Sequence, residues 1–192
     1  MGLIDKLRTR PAEAAKVLAV VVFGGLFAWL GTPSRVSMAV GIPLIVVGIA
    51  IRTWAAGHLR RNQQLATSGP YAYVRDPLYL GRLFLLCGLA VLAHNPYTYA
   101  LFGLGMLVFF LNYMPRKLRK ETERLEGYFG QDYVAYRTEV RSLVPRLRPY
   151  PKRSLQRWGF ATFWRENREQ WLAFAIVLIV VVMIVKGNRV PF

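Results

Sequence analysis

The sequence predicts an all-α, polytopic membrane protein with about five transmembrane helices, together with cytoplasmic-side and interfacial helices. Two observations carry this prediction: 54% of the 192 residues are hydrophobic, and many of them lie in long runs without a charged side chain. A helix of roughly 20 residues crosses the hydrocarbon core, and fewer suffice when flanking side chains reach the interface. We therefore expect spans at about 14–32, 36–54, 77–93, 97–115 and 169–186.

Each span rests on one of these runs, which cover 17–34, 36–51, 83–115 and 171–185. The third run holds two spans, because His94-Asn95-Pro96 breaks it near its middle. Pro33 and Pro43 interrupt the first two spans. Basic residues precede the first run, as in a signal peptide, but no small-residue cleavage site follows it. We therefore expect that run to stay in the protein as a span.

The charged residues are distributed unevenly along the chain. Their balance, 26 basic against 10 acidic, gives a net charge of +16, which in a soluble protein would favour a nucleic-acid partner. Nearly all Lys and Arg residues lie at the N-terminus and in 52–76 and 116–168, however, whereas the turns at 31–35 and 94–97 hold only Arg35. This alternation predicts a cytoplasmic N-terminus and no nucleic-acid partner.

The segment 146–168 combines basic residues with Trp158, Phe160, Phe163 and Trp164. That composition is typical of an interfacial segment, and the expected partner is an anionic membrane surface. We expect one membrane domain over 1–192. It would comprise a core at 57–145, this interfacial segment and an additional C-terminal span at 169–186.

Metal and disulfide chemistry are not expected. Cys87 is the single cysteine, and His58 and His94 are the two histidines, so neither a disulfide framework nor a Cys/His metal centre can be assembled. We interpret His58 as a solvated or interfacial side chain, His94 as a turn residue and Cys87 as buried packing.

Two stretches are too polar to span a membrane. The first, 57–76, contains a Ser-Gly-Pro turn and ends at Asp76, which precedes Pro77 as an N-cap precedes the first helical residue. The second begins at Arg116 with a periodic apolar face, and Gly130 is expected to end one helix before the next begins. Both lie on the same predicted side of the membrane, where we expect them to form one cytoplasmic site.

These stretches carry two ordered motifs. The first holds Gly69-Pro70-Tyr71, Arg75, Pro77, Tyr79 and Gly81, and the second holds Glu121, Phe129, Gly130, Tyr133 and Tyr136. A hairpin of two predicted spans separates them. Together they resemble the isoprenylcysteine carboxyl methyltransferases and the related phospholipid N-methyltransferases. The family usually has His where this chain has Asp76, and a second Glu where it has Thr122.

The resemblance implies methyl transfer from S-adenosylmethionine to a lipophilic carboxylate or amine at the cytoplasmic membrane face. It implies cofactor-binding residues in both motifs, namely Asp76, Pro77, Tyr79, Gly81, Glu121 and Thr122. A carboxylate such as Glu121 is a natural acceptor for the hydroxyl or amino groups of the cofactor. The partner is then a lipophilic small molecule or a lipid.

The chemistry itself asks for alignment and exclusion of water, because the displacement at the methyl carbon is in line. A carboxylate acceptor needs no general base but does need a cation. Arg75, Tyr79 and Arg82, at i, i+4 and i+7, share one helix face and are the predicted catalytic residues. Gly103 and Gly105 are interpreted as helix-packing residues.

Two other functions remain open on the sequence. Sterol reductases that use NADPH share a similar Arg-His-Pro-Asn-Tyr motif, although this chain has Leu78 at the Asn position. The other function is that of a non-catalytic descendant that binds lipid or a partner. In that case Asp76 and Thr122 would mark the loss of cofactor binding.

Overall fold

The computed structural model describes residues 22, 24–60 and 63–187, and within these residues it is helical without any strand. The first described helix, α1, covers 24–30. The helices that follow are α2 (Arg35–His58), a 3₁₀ turn (Gly69–Ala72), α3 (Pro77–Ala93), α4 (Pro96–Val108), a π turn (Phe109–Tyr113), α5 (Met114–Glu139), a second π turn (Thr162–Asn167) and α6 (Glu169–Gly187).

The described helices confirm an all-α membrane protein. Three of them are long and apolar enough to cross a membrane: α2, the continuous helix Pro96–Glu139, and α6. The shorter apolar helix α3 coincides with the expected span 77–93. About half of the expected span 14–32 falls outside the described residues. The number of spans therefore stays a prediction, as does the division into segments.

Helices α2 and α3 touch at two reciprocal pairs of glycines, Gly41 with Gly88 and Gly48 with Gly81. A Cβ atom added at any of the four would lie 2.8–2.9 Å from the carbonyl oxygen of the partner glycine. On each helix the two glycines are seven residues, or about two turns, apart, so both fall on the same face. This close backbone approach allows no side chain at either crossing.

One buried apolar cluster surrounds this contact. It joins Phe27 of α1, Ile45 of α2, Leu85 and Leu89 of α3, and Met183 of α6. The α1–α2 turn is fastened to the end of α3, because the Thr32 N–H donates to the Ala93 carbonyl at 2.7 Å.

The second long helix runs from α4 through a π turn into α5. Pro115 has no N–H, and its ring would clash with the carbonyl of residue 111 in a regular α-helix. The π turn at Phe109–Tyr113 relieves this conflict, since the Met114 N–H donates to the Phe109 carbonyl, five residues earlier. The helix therefore passes Pro115 and carries its basic residues beyond the apolar part.

Three sequence interpretations are corrected by these contacts. Helix α2 continues through Pro43. Gly103 and Gly105 pack against no other described helix, because a Cβ added at either would have no described atom within 4 Å beyond the backbone of its own helix. His58 is buried rather than solvated, and its Nδ1 lies 3.0 Å from the Ser68 hydroxyl.

The glycine contact predicts opposite effects for two alanine substitutions. In Gly88→Ala the new methyl group would meet the Gly41 carbonyl, and we expect a loss of about 2 kcal/mol, or a midpoint of thermal unfolding lower by about 4–8 °C. Gly103→Ala adds its methyl group where no described neighbour lies within 4 Å and improves helix propensity, so the midpoint should stay or rise. Thermal unfolding in detergent measures both, and equal shifts would contradict the proposed packing.

Candidate active site

The two polar segments lie together, as the sequence predicts, although the side of the membrane stays a prediction. The chain after α5, at 141–150, runs beside the turn that precedes α3, at 72–76. Four backbone hydrogen bonds join these two segments: Arg75 N–H to Arg141 O at 2.9 Å, Asp76 N–H to Ser142 O at 3.0 Å, Arg146 N–H to Tyr73 O at 2.9 Å and Tyr150 N–H to Ala72 O at 2.8 Å.

The expected break at Gly130 directs this return. Gly130 has φ 52° and ψ −130°, a conformation that residues with a side chain rarely adopt. The helix is kinked at Gly130, and in the two turns after the kink Tyr133 and Tyr136 are buried. The Tyr136 hydroxyl donates to the Tyr71 carbonyl at 2.7 Å and so ties the second motif to the first.

A cavity of about 950 Å³ lies between the two motifs. Its walls come from α2, the turn before α3, the first turns of α3, one face of α5 and the start of α6. Eight basic and three acidic side chains line it. These are Arg52, Arg60, Arg75, Arg82, Arg116, Lys117, Lys120 and Arg124, with Asp76, Glu121 and Glu169. The excess of positive charge makes the cavity suited to an anionic group.

Tyr79 lies on one wall of the cavity, and two cations lie close to its ring. The Lys117 Nζ is 5.1 Å and the Arg82 guanidinium carbon 5.6 Å from the ring centroid. Both distances lie within the range of cation–π attraction. The ring therefore holds two positive groups at the cavity surface while its own side chain is mostly buried.

Glu121 lies on the α5 wall of the cavity. Its Oε2 atom is buried and has no hydrogen-bond partner among the described residues. A buried carboxylate oxygen without a donor is costly, so this atom is an acceptor available to a ligand. The neighbouring Thr122 does not line the cavity; its hydroxyl lies 3.4 Å from the Tyr133 hydroxyl.

Asp76 joins the turn before α3 to the returning chain. Its Oδ2 accepts from the Ser142 hydroxyl at 2.6 Å and lies 3.5 Å from the Arg75 Nε. Asp76 occupies the N-cap position of α3, but its side chain makes no capping hydrogen bond. Burial raises the pKa of this carboxyl, and the Ser142 hydroxyl and the Arg75 charge oppose that rise.

The predicted site residues divide into two groups. Six of them line the cavity, namely Arg75, Asp76, Pro77, Tyr79, Arg82 and Glu121. Gly81 and Thr122 do not. Gly81 instead packs against α2, where an added Cβ would lie 2.5 Å from the Arg52 Cγ. The roles of all eight in binding or catalysis stay predictions.

Sequence reasoning did not select Arg52, Lys117 or Glu169, although all three line the cavity. The sequence contains one indication that Arg52 has a partner. A charged side chain near the end of an apolar helix costs free energy unless it is paired. Its partner is Glu169, and that pairing over 117 residues has no sequence pattern. No group of described His, Cys, Asp and Glu residues is arranged to hold a metal ion.

The fold and the site thus define an integral membrane protein with a basic cavity beside its helices. A sequence profile described as phospholipid methyltransferase matches residues 36–132, about half of the chain. The chain belongs to this family. No solved structure gives a significant match.

Several curated relatives are also similar. The cobalt-zinc-cadmium resistance protein CzcN of Cupriavidus metallidurans is 31% identical over 140 residues, covering 70% of this chain and 61% of the relative. A protein-S-isoprenylcysteine O-methyltransferase of Schizosaccharomyces pombe is 30% identical, over 54% of this chain and 42% of the relative. Protein-S-isoprenylcysteine O-methyltransferase B of Arabidopsis thaliana is 32% identical, over 55% of this chain and 57% of the relative. The chain thus spans about half the length of these relatives.

The raised pKa of Asp76 predicts that burying this carboxyl lowers the free energy of unfolding by an amount that depends on pH. As the pH rises above about 4, the unfolded chain loses this proton before the folded chain does, so the ionised carboxyl lowers stability at higher pH. Asp76→Asn removes this cost and can still accept from Ser142. The measurement is the midpoint of thermal unfolding of Asp76→Asn minus that of wild type. We expect this difference to increase as the pH rises from 4 to 7. The same measurement on the exposed Asp132→Asn should give a flat difference, and a flat difference for Asp76→Asn would refute the argument.

Proposed function

We propose that this protein transfers a methyl group from S-adenosylmethionine to a lipophilic carboxylate or amine. The observation that carries the proposal is the arrangement of the cavity. A buried carboxylate oxygen of Glu121 without a donor lies on one wall, and Arg75, Tyr79 and Arg82 lie on another. Membership of the phospholipid methyltransferase family and the names of the similar O-methyltransferases support it.

The cavity fits S-adenosylmethionine in chemistry and in size. Glu121 supplies the acceptor that ribose hydroxyls or an amino group require, and several cations are available for the methionine carboxylate. The volume of about 950 Å³ is at the upper end of small-molecule sites, which leaves room for an acceptor group. When bound, the cofactor supplies a methyl group on a positively charged sulfur.

The residues of this chain then bind and align the acceptor. Arg75 and Arg82 place positive charge beside an acceptor carboxylate, and the Tyr79 ring keeps the Arg82 and Lys117 cations at fixed positions. A carboxylate is already ionised at neutral pH and needs no proton removed, whereas an amine must arrive neutral. The chemical step therefore depends on holding the nucleophile in line and excluding water.

The location of the cavity agrees with a lipophilic acceptor. Arg52, Arg82 and Glu169 belong to three helices rich in apolar residues, so the polar cavity adjoins the membrane-embedded part of the protein. The basic segments around it are typical of the cytoplasmic side. An acyl or prenyl chain can remain among the helices while its polar end reaches the cavity.

Cofactor binding is tested by titrating S-adenosylmethionine and S-adenosylhomocysteine into the detergent-purified protein in a calorimeter. We expect saturable binding that weakens at least tenfold in Glu121→Gln, because charge-assisted hydrogen bonds contribute about 1.5–3 kcal/mol. Glu123→Gln, two residues away on the exposed face of α5, is the matched control and should bind like wild type. A folded wild-type sample that binds neither compound would rule out the proposed function.

The acceptor site is tested by following radiolabelled methyl transfer to an S-isoprenylcysteine and to a phospholipid with a primary amine. If the acceptor is a carboxylate, Arg82→Gln should raise its KM about tenfold through loss of the charge, with cofactor affinity unchanged. The control is Arg119→Gln, an exposed residue of α5 that does not line the cavity. A KM like that of wild type in Arg82→Gln would remove Arg82 from the acceptor site.

A further inference from the structure

We propose that Glu169, the first residue of α6, is a positioning residue of the active site. It acts through Arg52, which holds the first turn of α3 and with it Tyr79. This inference rests on the proposed function for its catalytic consequence. Glu169 lies well beyond the residues 36–132 that the family profile matches, so neither motif includes it.

Arg52 and Glu169 form a bidentate ion pair. The Arg52 Nε lies 3.0 Å from Oε2, and its Nη2 lies 2.8 Å from Oε1 and 2.7 Å from Oε2. The two side chains are only 6% and 10% exposed, so water hardly screens them. A two-point contact between planar groups fixes the orientation of the guanidinium as well as its position.

That orientation directs the third guanidinium nitrogen at α3. The Arg52 Nη1 donates to the Leu78 carbonyl at 2.7 Å, one residue before Tyr79. Gly81 makes this path possible, because a side chain at that position would collide with the Arg52 Cγ. Arg52 thus connects α6 to the turn of α3 that carries the cation-flanked ring.

Glu169 is itself held in place by the chain before it. Arg168 adopts a left-handed conformation with φ 54° between the second π turn and α6. The Asn167 side chain donates to the Ala56 and Leu59 carbonyls at 2.8 and 2.9 Å and so fastens this turn to the end of α2. The carboxylate also sits at the positive end of the α6 dipole, where a negative charge is favourable.

The main effect of the pair is geometric. A buried ion pair contributes little net stability compared with apolar residues of similar size, because both charges must be removed from water. What an apolar pair cannot supply is the N–H that reaches the Leu78 carbonyl. The pair also neutralises Arg52, so that this cation does not compete for an anionic ligand in the same cavity.

The first test is hydrogen exchange of the amides at 79–82 in the full chain in detergent. We expect exchange at least fivefold faster in Glu169→Gln and in Arg52→Lys, because both lose the two-point contact that orients the Leu78 bond. Glu126→Gln breaks a half-exposed ion pair with Arg137 and serves as the control, with exchange at 79–82 like wild type. Unchanged exchange in Glu169→Gln would overturn the proposal.

The second test separates positioning from simple stabilisation. In Glu169→Gln we expect kcat to fall at least tenfold, while the Kd of S-adenosylhomocysteine rises by a clearly smaller factor, because the Glu121 acceptor is untouched. The charge-reversed pair Arg52→Glu with Glu169→Arg restores an ion pair and should recover part of the unfolding midpoint that Glu169→Gln loses. It should not recover kcat, because a carboxylate at position 52 has no donor for the Leu78 carbonyl.

Recovery of kcat in the charge-reversed protein would overturn the positioning role, and so would a normal kcat in Glu169→Gln. Failure of the proposed function gives a different result, namely a wild-type protein without cofactor binding or methyl transfer. The exchange at 79–82 then decides whether Glu169 positions Tyr79, since that measurement needs no activity.

Discussion

The rest of the structure depends on the close approach of α2 and α3 at two glycine pairs. Carbonyl oxygens of one helix occupy the space that a Cβ atom would fill on the other, at Gly41 with Gly88 and at Gly48 with Gly81. One turn beyond Gly48, this separation lets Arg52 cross to the Leu78 carbonyl. With larger residues at the crossing, the helices would move apart and the guanidinium would no longer reach the first turn of α3. The cavity wall that carries Tyr79 is therefore a consequence of helix packing as much as of the motif around it.

The contacts in the cavity also explain how the buried cations are held in place. Positive groups dominate its lining, and each described contact places one of them at a definite site. Arg52 is paired with Glu169, Arg75 lies beside Asp76, and Arg82 and Lys117 flank one tyrosine ring. These contacts fix the cations without neutralising all of them, so the cavity keeps a positive potential. Glu121 is the exception among the carboxylates, because one of its buried oxygens has no described donor. This combination of fixed cations and an available acceptor supports the proposed methyl transfer.

Much of the fold was accessible from local patterns. Uncharged runs predicted α2, α3 and α6, and the break at Gly130 and the contact between the polar segments were expected. Other features were misread because their meaning depends on a partner. Gly103 and Gly105 resemble a packing pair in sequence but meet no other described helix, whereas Gly41 and Gly48 make the contact with α3. His58 is the last residue of the apolar helix α2 and was expected to be solvated or interfacial, yet it is buried against Ser68, which precedes the 3₁₀ turn at Gly69–Ala72.

The sequence by itself determined that this is an all-α membrane protein of the family whose two motifs it carries, because hydropathy and motif spacing are properties of consecutive residues. Six of the eight site residues that it predicted line one cavity in the structure. Only the tertiary structure decided that Gly81 serves helix packing, that Asp76 binds Ser142, and that Glu169 reaches the site through Arg52. Those roles arise from contacts between residues 26 to 117 positions apart, and no local periodicity specifies which distant side chain fills a given space.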